Sequence, residues 1–126
     1  MEVQKEDTDL WYSAEYWTFK IGSELYSKYR LEVGGYSGDA GDAFQHADDF
    51  NGNGKFGYYY HNGMKFTTHD NDNDESAYNC ASSHNGGWWF NSCHYACLMC
   101  GYEHHNWKSL PEVDTLVTSR MMIKPQ

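Results

Sequence analysis

An alternating run of carboxylates is the first feature of this sequence that could carry chemistry. Acidic residues occupy every second position of Asp70-Asn71-Asp72-Asn73-Asp74. Calcium takes about six to eight oxygen ligands, and a loop with alternating aspartates supplies several of them. An EF-hand starting at Asp70 is excluded, because its sixth position is Glu75 instead of glycine and its twelfth is Ala81 instead of glutamate. The run therefore predicts either a calcium loop of another kind or a solvated acidic turn.

The cysteines form a second group with possible chemistry. All four lie between Cys80 and Cys100. An even number indicates disulfides in a secreted protein and metal ligands in a cytosolic one. The segment Cys97-x-x-Cys100, followed by His104 and His105, also has a spacing that is compatible with zinc. The residues by themselves leave both interpretations open.

The composition limits the class of protein. The 126 residues are typical of one domain, and 9 basic against 18 acidic residues give a net charge of −9, which disfavours a nucleic-acid partner. No run approaches the ~20 apolar residues of a membrane span, and the polar segment Met1–Asp7 is not a signal peptide. The absence of a Ser/His/Asp order, a phosphate loop or a pair of catalytic carboxylates predicts that the protein is not an enzyme.

The elements that must position these residues are short strands and loops, because the sequence has 11 Tyr, 5 Trp, 6 Phe and 12 Gly. Alternation predicts strands at Trp17–Ile21 and Tyr29–Val33, joined by a turn at Gly22–Glu24, and Gly34–Gly38 is expected to stop the second strand. The other predictions are a long surface loop over residues 39–60, a turn at His61–Gly63 before Met64–Thr68, a short helix at Ala77–Ser83, and strands at Leu116–Thr118 and Arg120–Lys124.

Longer motifs connect these elements. They are Tyr29–Ala43 (YRLEVGGYSGDAGDA), His61–Thr68 (HNGMKFTT) ahead of the aspartates, Asn79–Ala81 (NCA), and Gly86–Ala96 (GGWWFNSCHYA). In type and order they resemble the fibrinogen-like C-terminal domain family, which includes the fibrinogens, ficolins, tachylectins, angiopoietins and tenascins. The whole sequence, residues 1–126, is identified as part of one such domain. The match covers about residues 11–126, with a divergent and shortened stretch at 97–110.

The resemblance implies an α+β fold, in which a twisted antiparallel sheet is followed by a loop-rich region that binds calcium and a ligand. It implies calcium as the cofactor, held by the side chains of Asp72 and Asp74 and by the carbonyls of Ser76 and Tyr78. Asp70 precedes these ligands and is expected to orient the loop. Two carboxylates with neutral carbonyls leave such a site nearly balanced in charge.

The resemblance also implies a disulfide between Cys80 and Cys93 and a cis peptide bond between Ser92 and Cys93. The cis bond is expected to turn the amides of Cys93 and His94 toward a shallow pocket beside the calcium loop, with His84 at its lining. In lectin-like members this pocket accepts acetyl groups of sugars, and in fibrinogen it accepts a peptide N-terminus.

Other aromatic and histidine residues are assigned structural roles. Trp88 and Trp89 are predicted to belong to the core, and Tyr58–Tyr60 to strand or loop packing. His61 and His69 are predicted to be ordinary surface or hydrogen-bonded residues.

Two departures from the family pattern affect these expectations. The family's first disulfide and early Gly-Gly-Trp segment have no counterpart, so we expect a missing N-terminal part, which leaves an exposed edge and apolar surface and which could carry an oligomerisation region. Met1 would then mark a fragment, an alternative transcript or a faulty gene assignment. Cys97–Gly101 replaces the family's usual turn and the closing loop is short, which puts acetyl-group recognition in doubt. For Cys97 and Cys100 we expect a mutual or intermolecular disulfide in place of a zinc site.

The resemblance therefore predicts a secreted, extracellular and non-catalytic recognition protein that depends on calcium and binds acetylated glycans. The alternatives are an extracellular protein-binding ligand or matrix module of the angiopoietin or tenascin kind, or a truncated form without an intact pocket.

Overall fold

A computed structural model of the protein describes residues 2–5, 10–45, 59–110 and 116–125. Most of the predicted loop over residues 39–60, including Tyr58, lies outside the described residues. The elements in sequence order are strands β1 (Glu2–Lys5), β2 (Trp11–Ile21), β3 (Leu31–Gly38), β4 (Ala96–Cys97), β5 (Asn106–Trp107) and β6 (Leu116–Arg120), helices α1 (Glu24–Ser27, between β2 and β3) and α2 (Cys80–His84, between β3 and β4), and a 3-10 turn at Tyr102–His104.

The strands form two antiparallel sheets. The larger sheet has the order β3-β2-β1-β6, and the smaller one pairs β4 with β5. The predicted α+β fold, with an antiparallel sheet followed by a loop-rich region, is confirmed. No helix in the described ranges has the length and apolar character that a membrane crossing would need.

The pairing of β2 with β3 shows where the strand predictions were right and wrong. Trp17–Ile21 is a strand, as predicted, within the longer β2. The second strand begins only at Leu31, because Lys28 and Tyr29 have positive φ angles of 53° and 59°. It also continues through Gly34–Gly38, since four registered pairs with β2, two of them at Gly34 and Gly38, hold this segment in the sheet. Sheet pairing thus outweighs the weak intrinsic strand preference of glycine.

Both helices are single turns that begin at a capping side chain. The predicted turn after β2 is the start of α1, where the Ser23 hydroxyl accepts a hydrogen bond from the Tyr26 amide. The predicted short helix at Ala77–Ser83 exists, but it begins at Cys80, because the side-chain oxygen of Asn79 accepts from the Ser82 amide and so caps the first turn.

Two further segments lie partly or wholly outside the strands. Leu116–Thr118 is a strand, as predicted, but β6 ends at Arg120, so the strand predicted at Arg120–Lys124 is wrong. The Met64–Thr68 segment, for which no element was predicted, lies outside the strands and includes two isolated bridges, from Thr67 to Trp88 and from Thr68 to Asn71.

An aromatic core lies between the large sheet and the loop-rich region. Its centre is Phe44, whose ring centroid is 5.3 Å from that of Tyr16, 5.7 Å from that of Trp88 and 5.2 Å from that of Trp107. Trp88 and Trp89 are buried, as predicted. Trp17 on β2 lies outside this core and is 82% exposed.

Candidate calcium loop and histidine-lined pocket

The acidic loop is held in place by the two asparagines that lie within and after it. The Asn73 amide donates to the Thr67 hydroxyl at 2.9 Å, and its side-chain nitrogen donates to the Phe66 carbonyl at 2.9 Å. The Asn79 side-chain nitrogen donates to the Thr68 carbonyl at 3.1 Å. These bonds fix both ends of the loop to the segment that precedes it.

Within this loop, the carboxylates of Asp72 and Asp74 accept hydrogen bonds from main-chain amides that follow them. Asp74 accepts from the Ser76 amide at 3.0 Å through one oxygen and from the Cys80 amide at 2.9 Å through the other. Asp72 accepts from the Asp74 amide at 3.2 Å. The structure thus places the two predicted carboxylate ligands close together on a tight turn, with one residue between them.

The electrostatics of this pair suit a bound cation. Partial burial raises the pKa of Asp74, and the neighbouring charge of Asp72 raises it further, although two main-chain amides act in the opposite direction. A divalent cation between the two carboxylates would remove this repulsion. Among the described residues, the carbonyls of Ser76 and Tyr78 accept no hydrogen bond, so their lone pairs are available. The donor set therefore fits calcium.

Asp70 has a different environment from the two predicted ligands. Its carboxylate accepts a hydrogen bond from the Thr68 hydroxyl at 2.7 Å, and this bond is the main reason that the pKa of Asp70 lies below its usual value. The side chain therefore braces the start of the loop, in agreement with the orienting role that was predicted for it.

A disulfide connects the acidic loop to the predicted pocket. Cys80 and Cys93 are bonded, with their Cα atoms 5.7 Å apart, and the peptide bond between Ser92 and Cys93 is cis, so both predictions are confirmed. Because the Cys80 amide donates to Asp74, one hydrogen bond and one disulfide connect a predicted calcium ligand to Cys93.

The two main-chain amides assigned to the pocket by the family resemblance, those of Cys93 and His94, have no acceptor in the part of the chain that the structure describes. The next two amides, those of Tyr95 and Ala96, both donate to the Nε2 atom of His61, at 3.1 and 3.0 Å. The main-chain amides of Cys93 and His94 therefore lack an acceptor among the described residues, whereas those of Tyr95 and Ala96 are held by His61.

His61 is a buried, hydrogen-bonded structural residue, which is the second of the two roles predicted for it. Its Nδ1 atom lies 2.9 Å from the Trp89 carbonyl, which makes Nδ1 the protonated nitrogen and Nε2 the acceptor. Burial lowers the pKa of His61 to about 4, so the ring is neutral at pH 7. His69 is exposed, and its Nδ1 atom lies 3.3 Å from the Ser82 hydroxyl.

Three histidines form a cluster around His94. One nitrogen each of His84, His94 and His104 lies within 4.8 Å of the others, and the His84 and His104 ring centroids are 4.1 Å apart. Burial lowers the pKa of His94 to about 2 and also lowers that of His84. The family resemblance predicted His84 and His94 here but not His104, because neither spacing nor the family pattern connects residues twenty positions apart.

Close backbone contact brings His104 to this place. The Gly101 amide donates to the His84 carbonyl at 3.0 Å, and the His104 amide donates to the Gly101 carbonyl at 2.8 Å. A Cβ on Gly86 would lie 2.0 Å from the Met99 carbonyl oxygen, so only glycine lets the two segments approach this closely.

The cysteine pair that could have bound zinc stabilises this turn instead. Cys97 and Cys100 form a mutual disulfide with Cα atoms 5.5 Å apart, which confirms the predicted disulfide and leaves no thiolate for a metal. His105, the other histidine of that zinc alternative, points elsewhere, with its Nε2 atom 2.7 Å from the Ser119 hydroxyl.

Comparison with known proteins identifies the same family in the sequence and in the fold. The family described as fibrinogen beta and gamma chains, C-terminal globular domain, matches residues 1–125. The fibrinogen gamma chain of Xenopus laevis is 43% identical over 107 residues, which are 81% of this sequence and 24% of that protein. Tenascin of Gallus gallus is 40% identical over 93 residues, which are 74% of this sequence and 4% of that protein.

A solved structure shares the fold. The lamprey fibrin D-dimer, complexed with the peptide Gly-His-Arg-Pro-amide, superposes with a TM-score of 0.78 and 28% identity, over 91% of this protein and 41% of that one. The sequence thus spans about a quarter of the fibrinogen gamma protein that it matches and less than half of the lamprey one.

Proposed function

Because this protein belongs to the family of C-terminal globular domains found in the beta and gamma subunits of fibrinogen, we propose that it is an extracellular, non-catalytic recognition domain. Its ligand presents an amide carbonyl oxygen to the main-chain amides of Cys93 and His94. The observation that carries this proposal is the pair of adjacent amides that have no acceptor among the described residues. Buried or half-buried amides need a partner, and a ligand oxygen supplies one.

A peptide is the favoured source of this carbonyl. The lamprey fibrin D-dimer that shares the fold is complexed with a short peptide. A peptide also offers a carbonyl at every residue, so it can meet two neighbouring donors without a special functional group. We therefore propose a protein or peptide ligand for this domain.

An acetylated glycan is the second source of the same chemistry. The carbonyl of an acetamido group could accept from the same two amides. The side of the pocket next to His84 is occupied by the imidazole of His104, 4.1 Å away between centroids, so sugars would contact polar rings there. The methyl of an acetyl group prefers an apolar contact, so this polar side chain is the reason that we favour a peptide over an acetylated glycan.

Calcium at Asp72 and Asp74, completed by the carbonyls of Ser76 and Tyr78, would support recognition indirectly. The cation would offset the charge repulsion that raises the pKa of Asp74 and would hold the loop in one conformation. Since Asp74 accepts from the Cys80 amide and Cys80 is bonded to Cys93, a fixed loop keeps the two pocket amides in place.

The pocket chemistry is unsuited to general acid–base catalysis. A pKa of about 2 makes His94 a very weak base at neutral pH, whereas an effective general base has a pKa near the working pH. All four cysteines are in disulfides, so no thiol nucleophile is present. Both facts favour binding over catalysis.

Amide-resolved NMR tests the proposal directly. The ¹⁵N-labelled protein would be titrated with peptides and acetylated glycans selected by array binding, and shifts of the Cys93 and His94 amides would be followed with calcium or with a chelator. The expected result is a peptide that shifts both amides in calcium. A ligand that binds tightly and leaves both amides unshifted would refute the site, and shifts with acetylated sugars alone would replace the peptide by a glycan.

A further inference from the structure

We propose that His84, His94 and His104 form a binding site for a transition-metal dication, with Zn²⁺ as the ion expected in an extracellular fluid. This site goes beyond the proposed recognition function and is chemically distinct from the calcium loop. It also differs from the zinc alternative in the sequence, which needed the thiolates of Cys97 and Cys100.

The geometry of the three rings is the first support. One nitrogen from each ring lies within 4.8 Å of the other two. A zinc ion with Zn–N bonds of about 2.0–2.1 Å holds its nitrogens about 3.4 Å apart in a tetrahedral site. Closing the remaining gap takes side-chain movements of about 1 Å, which exposed or half-buried rings can make. His84 and His104 are both only half-buried.

Unpaired ring nitrogens are the second support. The Nδ1 atoms of His84 and His94 are buried and have no hydrogen-bond partner among the described residues. His94 is only 6% exposed, so water reaches it poorly. A buried polar atom without a partner destabilises the fold, and a metal ion would remove that penalty.

The protonation state of the cluster is also suitable. Burial keeps His94 and His84 neutral at pH 7, because it lowers the pKa of both. Neutral imidazole is the form that binds metals, so no proton must leave these two rings. The exposed charge of Lys108 acts on both rings and opposes a cation, but solvent and salt screen an exposed ammonium group.

The nature of the donors selects the metal. Three imidazoles suit zinc, copper or nickel and do not suit calcium, which requires oxygen ligands. Three histidines also leave the fourth tetrahedral position open for water or for an oxygen of a ligand. The cluster contains no carboxylate or thiolate from the described residues.

Backbone contacts pre-position the site. His84 ends α2, and its carbonyl accepts from the Gly101 amide, which leads directly into the turn that carries His104. The Cys97–Cys100 disulfide closes the same segment. Two of the three rings are therefore held together before any metal binds, which favours binding over a flexible arrangement.

Metal titration with point variants tests this inference. Zinc affinity would be measured at pH 7.4 in excess calcium by competition with a chromophoric chelator, for the parent, His104→Ala and the control His105→Ala. The parent should bind one zinc ion, His104→Ala should weaken binding roughly 100-fold, and His105→Ala should match the parent. X-ray absorption at the zinc edge should show three imidazole nitrogens.

The controls separate this site from the calcium loop and from misfolding. Asp72→Ala with Asp74→Ala should keep zinc binding, and His104→Ala should keep its response to calcium, which shows that it is folded. Equal zinc affinity in the parent and His104→Ala, or sulfur ligands in the absorption spectrum, would overturn the inference. A loss of zinc binding in the aspartate variant would place the ion in the acidic loop and overturn it as well.

Discussion

The Nε2 atom of His61 accepts a hydrogen bond from the amide of Ala96 at 3.0 Å, across 35 positions of sequence. The same nitrogen accepts from Tyr95, and the opposite side of the ring meets the Trp89 carbonyl at 2.9 Å. One buried imidazole therefore fixes the backbone at Tyr95 and Ala96, directly after the Cys93 and His94 amides.

Replacing His61 should destabilise the fold strongly. His61→Phe keeps a ring of similar shape but leaves the Ala96 amide and the Trp89 carbonyl without a partner, and each such group contributes about 1–3 kcal/mol. The Tyr95 amide loses one of its two acceptors and keeps the Tyr59 carbonyl at 3.0 Å. We expect a loss of about 3 kcal/mol or more in the free energy of unfolding, measured with urea. The exposed His69→Phe is the control and should change it by less than about 0.5 kcal/mol.

The low pKa of His61 predicts loss of stability in acid. Its pKa is about 4 in the folded protein against 6.5 in the unfolded protein, so below pH 6.5 the unfolded state binds the extra proton. The stabilisation is complete above pH 6.5 and falls as the pH is lowered toward 4, by about 3 kcal/mol for this group. His94, with its pKa of about 2, acts in the same direction.

Urea unfolding over this pH range, with a metal chelator present, measures the effect. Relative to the parent, His61→Phe should reduce the slope of stability against pH by about 1.4 kcal/mol per unit, which is the linkage of one proton. Parallel curves of stability against pH for the two proteins would contradict the prediction, because they would show that folding does not change the pKa of His61.

Some features of the fold and of the candidate site could be predicted from the sequence. The alternation at Trp17–Ile21 corresponds to a real strand, although Trp17 and Ile21 are exposed, and the strand predicted at Leu116–Thr118 is part of β6. The disulfide between Cys80 and Cys93 and the cis bond before Cys93 followed from the family resemblance. Residue types and spacing alone do not specify which cysteines pair.

Features that depend on long-range contact were not predictable in this way. The role of His61 depends on Trp89 and Ala96, which lie far along the sequence, and an isolated histidine gives no local signal of burial. The approach of His104 to His84 depends on the close backbone contact at Gly86. The continuation of β3 through Gly34–Gly38 depends on pairing with β2, which a glycine-rich segment does not reveal by itself.

Calcium should raise the melting temperature of the protein. An ion that binds only the folded state at about 100 times its dissociation constant adds about 2.7 kcal/mol, or about 10 °C for a domain of this size. Asp72→Ala with Asp74→Ala should abolish the shift, because both carboxylates of the proposed site are removed. Glu75→Ala, an exposed acid in the same loop, is the matched control and should keep it. A full calcium response in the double variant would place the ion elsewhere.

Removing the Cys80–Cys93 disulfide should lower stability more than removing the Cys97–Cys100 disulfide. The two bridges span separations of 13 and 3 residues, and the entropy of loop closure assigns them about 3 and about 2 kcal/mol. Paired Cys→Ser variants compared by urea unfolding give the two values. Peptide mapping without reductant should first show both pairings, and any link between Cys80 and Cys97 would contradict the structure.

The contact between the α2 turn and the Met99–Gly101 segment should be intolerant of a single methyl group. In Gly86→Ala the new Cβ would lie 2.0 Å from the Met99 carbonyl oxygen and 3.0 Å from the Cys100 Cα, both of which are backbone atoms that cannot rotate away. The segments must separate, so we expect a loss of about 3 kcal/mol in unfolding free energy. Because the same contact holds His104 beside His84, zinc affinity should fall as well. Gly34→Ala is the matched control, since its Cβ meets no atom within 4 Å, and it should change stability by less than about 1 kcal/mol and leave zinc affinity unchanged. Equal stability and equal zinc affinity in the two variants would show that the approach at Gly86 does not position His104.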